Sequence, residues 1–579
     1  MTSFFHISTF HHNVCLNSFE ETDLPIVSPK RFNMRTGVSC RALLCAALIT
    51  VVRAFAPQYE DGAQQPLRPL ESTIDDVDYI SHHWGQLSTY KYNTPGLFGV
   101  KKIGLPDGCQ IEQVHLLQRH AERFPHPGDA QDGLNIERFT AKVMKAFKEE
   151  KHFKGPLAFL NSWRNTLGGE YLTGIGAMAE IASGVQFWNM YGRMLYNASQ
   201  GQLGYQPENV DRRPLLRTPS QSRMHNSMTN WALGFFGPSY QESAQFSANW
   251  TEAFRTLIIP EVEPGPWNNT LAAHHCCNNS EAHGIGTIGD DHMWNYAGLY
   301  LPHATKRLSK YTPKHFDLQI KDTYAMQLLC AYETQFLGVS EFCDLFTREE
   351  WRGFEQSLDI RFFYKHSFGN PTARSQGIGY VEELLARLQG KLIKESDTSI
   401  NSSLTDNEDT FPLGMKFYAD FTHDKMILAA ITALSVDYFR EVPHLKKYPP
   451  KKDRLFRVSH MVPFTARLAT EVIGCDSAHP KPEKKERVRY YASQYGHEGG
   501  NGSKSSKHKF VRMRLNGGIL PLSSIRGGAC KGRSDELCPL EQFVESQAKA
   551  KERANYGEAC FGDYEVVNDG RDVDGTVPR

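Results

Sequence analysis

Arg119, His120 and Arg123 crowd two guanidinium groups and an imidazole into five residues of the stretch Gln118-Arg119-His120-Ala121-Glu122-Arg123-Phe124-Pro125. The residues before it, Ile111 to Leu117, end in an apolar run of strand length, and Pro125 halts regular structure. Cations this close repel one another unless an anion sits between them, and the flat donor fork of Arg matches the oxygens of a phosphate. An imidazole between two such forks can act as a nucleophile toward phosphorus. Standing alone, Arg-His-x-x-Arg is more often a solvated basic turn, so the reading needs support from elsewhere in the chain.

That support comes from two further junctions where a strand hands over to a helix. Lys416 to Phe421 reads as a buried strand, and Thr422-His423-Asp424 leads from it into an amphipathic helix beginning at Lys425 and running to Leu434. A plainer reading makes His423 and Asp424 a polar first turn, with Asp424 as cap. Pro214 to Arg217 forms a short strand, and Ser220 to Arg223 turns from it into another helix, where free backbone N–H groups favour an anion beside Arg223.

In this arrangement Arg119-His120-x-x-Arg123-x-Pro125, paired with a distant His423-Asp424, resembles the histidine acid phosphatase family, and within it the secreted fungal acid phosphatase and phytase branch. Arg217 to Arg223 running on to Gly234-Phe235-Phe236-Gly237, Phe342-Cys343-Asp344-Leu345-Phe346-Thr347, Gln376 to Tyr380 and Tyr418 to Phe421 are similar to that branch too. The similarity spans roughly residues 80 to 565. Ala121 departs from it, since the family has Gly there; a positive φ at this position would strain Ala.

The resemblance implies an α/β fold, a mixed-sheet sandwich of the histidine phosphatase, phosphoglycerate-mutase-like kind with an inserted mainly α-helical domain. It implies a phosphomonoesterase working in acid through a phosphohistidine. His120 and Asp424 are then catalytic, as nucleophile and as proton donor to the leaving oxygen, while Arg119, Arg123, Arg223 and His423 bind the phosphoryl group. No cofactor and no metal are expected. Glu122 resembles the broad acid phosphatase pattern, whereas Gln376 to Tyr380 and Tyr418 to Phe421 resemble the phytase pattern, so a dedicated phytase is the alternative substrate reading. A secreted phosphate-binding relic, its nucleophile spoiled by Ala121, is the non-catalytic alternative.

Lys and Arg total 65, as do Asp and Glu, which argues against nucleic acid as a partner and leaves small phosphate monoesters, phytate among them. Leu43 to Val52 is an apolar core behind Arg35 and Arg41, and Ala54-Phe55-Ala56 has the form of a signal peptidase site. Residues 34–56 therefore read as a signal peptide and 1–33 as an extension of the gene model ahead of a true start at Met34; an uncleaved anchor behind a short tail is the alternative. A secreted product follows, free of the membrane once the leader is cut.

Removing Cys15, Cys40 and Cys45 with the leader leaves nine of twelve cysteines. Spacing pairs Cys330 with Cys343 and Cys530 with Cys538, each loop worth about 3 kcal/mol. The resemblance adds Cys109 with Cys475, and Cys560 with either Cys276 or Cys277. Asn197, Asn249, Asn268, Asn278, Asn401 and Asn501 begin glycosylation sequons. His274-His275-Cys276-Cys277 invites a zinc reading, but adjacent ligands seldom converge on one ion and a secreted setting favours disulfides.

The elements that must position these residues follow from periodicity. Strands are expected at 256–260, 462–473 and 510–522, besides those above. Helices are expected at 135–151, amphipathic with Ile136, Phe139, Val143 and Phe147 on one face, and at 175–195, with Met178, Ile181, Val185, Phe187 and Trp188 in the core. Segment 291–390 reads as mainly helical, ending in a helix that turns Tyr380, Leu384, Leu385 and Leu388 inward. Residues 57–105, 264–290, 391–412 and 478–508 read as loops. The α/β core is thus expected from about 100–134, 205–285 and 405–565, with the helical insertion from about 135–204 and 286–404.

Overall fold

Four segments form the parallel part of the sheet, and two of them, Leu215–Pro219 and Phe417–Thr422, are buried at every position and so need no polar alternation. In the computed structural model, which describes residues 77–102, 104–128, 132–198, 205, 213–237, 253–261, 267–482, 506–566 and 573–578, they are β1 (Cys109–Arg119), β2 (Leu215–Pro219), β3 (Arg255–Ile259) and β4 (Phe417–Thr422). β1 pairs parallel with β4, β4 with β2, and β2 with β3. On the other side of β1, β5 (Arg467–Cys475), β6 (His508–Leu515) and β7 (Gly518–Ile519) continue antiparallel, and β8 (Cys538–Pro539) pairs with β6. The order is β3-β2-β4-β1-β5-β6-β7, a mixed sheet as expected. The leader, Cys15, Cys40, Cys45, Asn249, Asn501 and most of 478–508 lie outside the described residues.

Helices cover both faces of this sheet. On one face α2 (Gly174–Phe187) and α3 (Ser222–Phe236) lay Phe187, Trp231 and Phe235 against Phe417 and Phe421 of β4 and Leu116 of β1. Leu117, pointing the opposite way from β1, joins a second and larger core. That core is built by α1 (Gly133–Lys148), α4 (Ile288–Tyr300), α5 (Ile320–Leu337), α6 (Arg348–His366), α7 (Ala373–Gln389) and α8 (Asp424–Ala433). An α/β fold with a large helical part is what the sequence implied.

Two inward-facing assignments are corrected. In α2, Met178 is 71% exposed and Val185 39%, while Gly176, Ser183 and Gly184 face inward. The reason is backbone proximity: a Cβ on Gly184 would lie 2.0 Å from the carbonyl of Trp231, so α2 meets α3 through its small residues and turns its large ones away. Phe147 of α1 is likewise 46% exposed, and the Arg164 guanidinium lies 4.0 Å above its ring.

Four disulfides tie distant parts together: Cys109–Cys475, Cys277–Cys560, Cys330–Cys343 and Cys530–Cys538. Cys109 and Cys475 are direct partners in the β1–β5 register, which is why residues so far apart in sequence can be bridged. Cys276 is left as a buried thiol and donates to the Trp267 carbonyl at 2.7 Å.

Candidate active site

The carboxyl ends of all four parallel strands meet at one edge of the sheet, where open α/β sheets place their ligands. β1 delivers Arg119 and then His120, whose backbone N–H donates to the Thr422 carbonyl of β4 at 3.1 Å. β2 leads through Ser220 and Gln221 to Arg223, the second residue of α3. β4 ends at Thr422, so His423 occupies the N-cap position and Asp424 opens α8. β3 ends at Ile259, two residues before Glu261.

A cleft of about 520 Å³ opens at this edge, lined among others by His120, Arg123, Arg223, His423 and Asp424. Five of the six residues singled out from sequence therefore share one cavity. The sixth, Arg119, is fully buried beside it, and its Nη2 lies 2.7 Å from Asp424 Oδ2. Carbonyls of Gln86 and Val462 accept from its Nη1 at 2.5 and 2.7 Å, and its guanidinium stacks over Phe464 at 4.4 Å. Gln86, in a segment that carried no legible chemistry, thus aims a residue of the cradle.

His120 is set up as a nucleophile by its backbone. Its Nδ1 lies 2.9 Å from the Ala121 carbonyl. A carbonyl only accepts, so Nδ1 carries the proton and Nε2 keeps a lone pair. Burial, then Arg119, Arg223 and Arg123, hold the imidazole well below its ordinary value of 6.5, so it stays neutral in acid. Ala121 brings no strain: residues at positive φ among those described do not include it. The concern about a spoiled nucleophile therefore loses its physical basis.

Asp424 is held the opposite way. Burial alone would raise its pKa, but the Arg119 guanidinium overcomes this and keeps the carboxyl well below the usual range. Asp424 Oδ1 also accepts from the Lys425 backbone N–H at 2.7 Å, so it contributes to the helix start as well as to the cleft. Arg123 donates to the Phe124 carbonyl at 2.8 Å and lies 3.7 Å from Asp132. Arg223 is 3.4 Å from Glu170, and burial draws it down to about 10, still cationic.

Glu261 was not singled out from sequence, and it anchors the fourth strand end. Its Oε1 lies 2.9 Å from His423 Nε2 and 3.1 Å from His275 Nε2. Burial works to raise its pKa, yet the neighbouring histidines keep it well below the carboxylate range. Burial lowers that of His423, and Glu261 opposes the fall. Its one sequence signal is its place directly after the strand expected at 256–260.

Ligand atoms of Glu261, His274 and His423 lie within 4.8 Å of one another and could hold a metal by distance alone. Arg223 and Lys425, both close enough to His423 to lower its pKa, make the surroundings hostile to a dication. The four-residue run from His274 to Cys277 is not a ligand set, because Cys277 is bonded to Cys560.

The stretches that leaned toward phytase are packing. Asp420 of β4 faces away from the cleft into a buried network with Arg217 at 2.6 Å and Arg387 at 2.7 Å, and Arg217 also reaches Glu383 at 2.6 Å. Gly377 of α7 passes so close to α8 that a Cβ there would lie 2.1 Å from the Ala429 carbonyl. Glu122 is buried and does not line the cleft; burial raises its pKa. Arg361, Lys365 and His366 of α6 and Lys425 of α8 line the cleft as well.

A model of the histidine phosphatase superfamily (branch 2) matches residues 110–493. Phytase A of Aspergillus fumigatus is 28% identical over 90% of this chain and 100% of its own length. Phytase A of Neurospora crassa is 26% identical, over 83% of this chain and 92% of its own. The crystal structure of the phytase from D. castellii aligns with a TM-score of 0.59 at 20% identity, covering 90% of this chain and 94% of that one, a likeness of fold.

Proposed function

The chain belongs to the histidine phosphatase superfamily (branch 2) and is a phosphoric monoester hydrolase; from that premise we propose that it is a secreted acid phosphatase that accepts phytate, with His120 as the nucleophile. Phosphate monoesters are among the slowest of biological substrates to hydrolyse, with enzymic accelerations reaching about 10²¹-fold. Charge neutralisation and a nucleophile must therefore act together. The observation that carries the reading is the His120 tautomer: Nδ1–H is committed to the Ala121 carbonyl, and Nε2 is left bare among Arg119, Arg123 and Arg223.

In the first step a bond forms from His120 Nε2 to phosphorus and the ester P–O bond breaks. Arg119, Arg123, Arg223 and His423 hold the equatorial oxygens, where charge gathers in the transition state. The leaving oxygen takes a proton from Asp424. In the free enzyme that carboxyl is ionised by Arg119, but an incoming phosphoryl group draws the guanidinium to itself and adds negative charge beside Asp424. Both changes raise the Asp424 pKa, and in acid the ester monoanion brings the proton with it. In the second step the Asp424 carboxylate takes a proton from water as it attacks the phosphohistidine. Free phosphate leaves and His120 is regenerated.

Support for phytate comes from the likeness to Phytase A, from a cleft of about 520 Å³, and from the further cations Arg361, Lys365 and Lys425 that line it. Support for secretion comes from the leader-like segment, the four disulfides and the exposure of the sequon residues Asn197, Asn268 and Asn278. No helix among the described residues is long and apolar enough to cross a membrane. The decisive experiment is a rapid quench without acid, using phosphate-labelled phytate. Label should appear on His120 and vanish in His120→Ala; label on His423 instead would overturn the assignment.

A further inference from the structure

The cations around the cleft are not equally available. Arg361 and Lys365 share Asp290 at 2.7 and 2.9 Å, and Lys365 also reaches Glu281 at 3.1 Å. Arg123 has Asp132 beside it and Arg119 has Asp424. Lys425 differs: among the described residues no carboxylate lies within ion-pair distance of its ammonium, although the side chain lines the cleft and is largely withdrawn from water. Glu281 and Asp424 act on it only from beyond that distance, so the ammonium loses hydration without a contact partner, a cost that an anion entering the cleft would offset.

Position says which anion this is. Lys425 directly follows Asp424, the residue that serves the leaving oxygen in the proposed mechanism, so it stands on the side of the cleft where the alcohol portion of the substrate lies. The transferring phosphoryl group has no need of it. Arg119, Arg123, Arg223 and His423 already outnumber its three equatorial oxygens. We propose that Lys425 is a specificity-determining residue that binds a second phosphate carried on the alcohol portion of the substrate, and so favours polyphosphorylated over singly phosphorylated esters; the inference rests on the phosphomonoesterase reading above. Burial draws Lys425 down to about 8, which leaves it cationic throughout the acid range.

The test compares kcat/KM for phytate with kcat/KM for glycerol 2-phosphate in acid. Lys425→Met removes the charge and keeps most of the stem, Lys425→Gln is a second neutral variant, and Lys425→Arg retains the charge. The phytate-to-glycerol-phosphate ratio should fall at least about tenfold in both neutral variants, mainly through KM, as expected for one lost charge-assisted contact. In Lys425→Arg it should stay within about threefold of the parent. A ratio that does not move in the neutral variants, or a parallel fall on both substrates, overturns the inference while the hydrolase reading stands. A parent protein inert on both substrates overturns the hydrolase reading, and this inference with it.

Discussion

Asp424→Asn separates the two jobs that the structure gives one carboxylate. Its Oδ2 sits 2.7 Å from Nη2 of Arg119, whose side chain has no exposure, while the Asp424 side chain is 16% exposed. Proton donation to a poor leaving group supplies about 10²- to 10⁴-fold, and an aryl oxide, which leaves unaided, needs little of it. Single-turnover phosphorylation by the variant should therefore fall by that factor on glycerol 2-phosphate and far less on phenyl phosphate. Breaking one side of a buried ion pair costs about 3–5 kcal/mol, and Asn retains a hydrogen bond, so the lower end of that range is expected. The pH dependence has a definite sign. The folded pKa of Asp424 lies below its unfolded value of 3.8, so the pair's contribution is present above 3.8 and is lost only as pH falls through the folded value. The stability difference between parent and variant should accordingly persist in mildly acidic buffer. Inorganic phosphate returns an anion to Arg119 and should restore part of the lost melting temperature. Equal losses on both esters would show that Asp424 positions its neighbours or acts in dephosphorylation; no loss on either would reduce it to a helix-start residue.

Two further outcomes follow from the same geometry. Glu261→Gln removes the charge that supports His423, so the His423 pKa should fall further, and the basic limb of the kcat/KM profile should move to lower pH; an unmoved limb would mean that Glu261 is packing only. Protein recovered from culture medium should begin near Pro57 and, after denaturation without reductant, take up alkylating reagent at Cys276 alone, a count that peptide mass mapping reads directly; a second reactive thiol would contradict the four bridges.

Much of this site was legible because its chemistry is local. Arg119, His120 and Arg123 are neighbours on one strand end, and His423 and Asp424 share another. The apolar runs that place them, such as Phe417–Thr422 and the helix after it, announce themselves by periodicity. The short disulfide loops were readable from spacing for the same reason. Errors arose where a side chain's direction depends on what approaches it: Met178 and Val185 have the right spacing for a core face, but Gly184 and Gly234 let α2 and α3 come so close that the small residues face inward. Residues that owe their role to convergence carried no local signal. Glu261 is a single acid after a short strand, and it meets His423 only because β3, β2, β4 and β1 lie side by side and parallel, their carboxyl ends at one edge. Gln86 aims Arg119 through a backbone carbonyl, which any residue type could supply. Lys365 and Lys425 look alike in sequence, and only the packed fold brings Asp290 and Glu281 into contact with Lys365 while Glu281 acts on Lys425 from farther off. A sequence thus specifies which groups are present and which stand on the same element, whereas charge pairing across a cleft depends on distances between elements that only the packed fold sets.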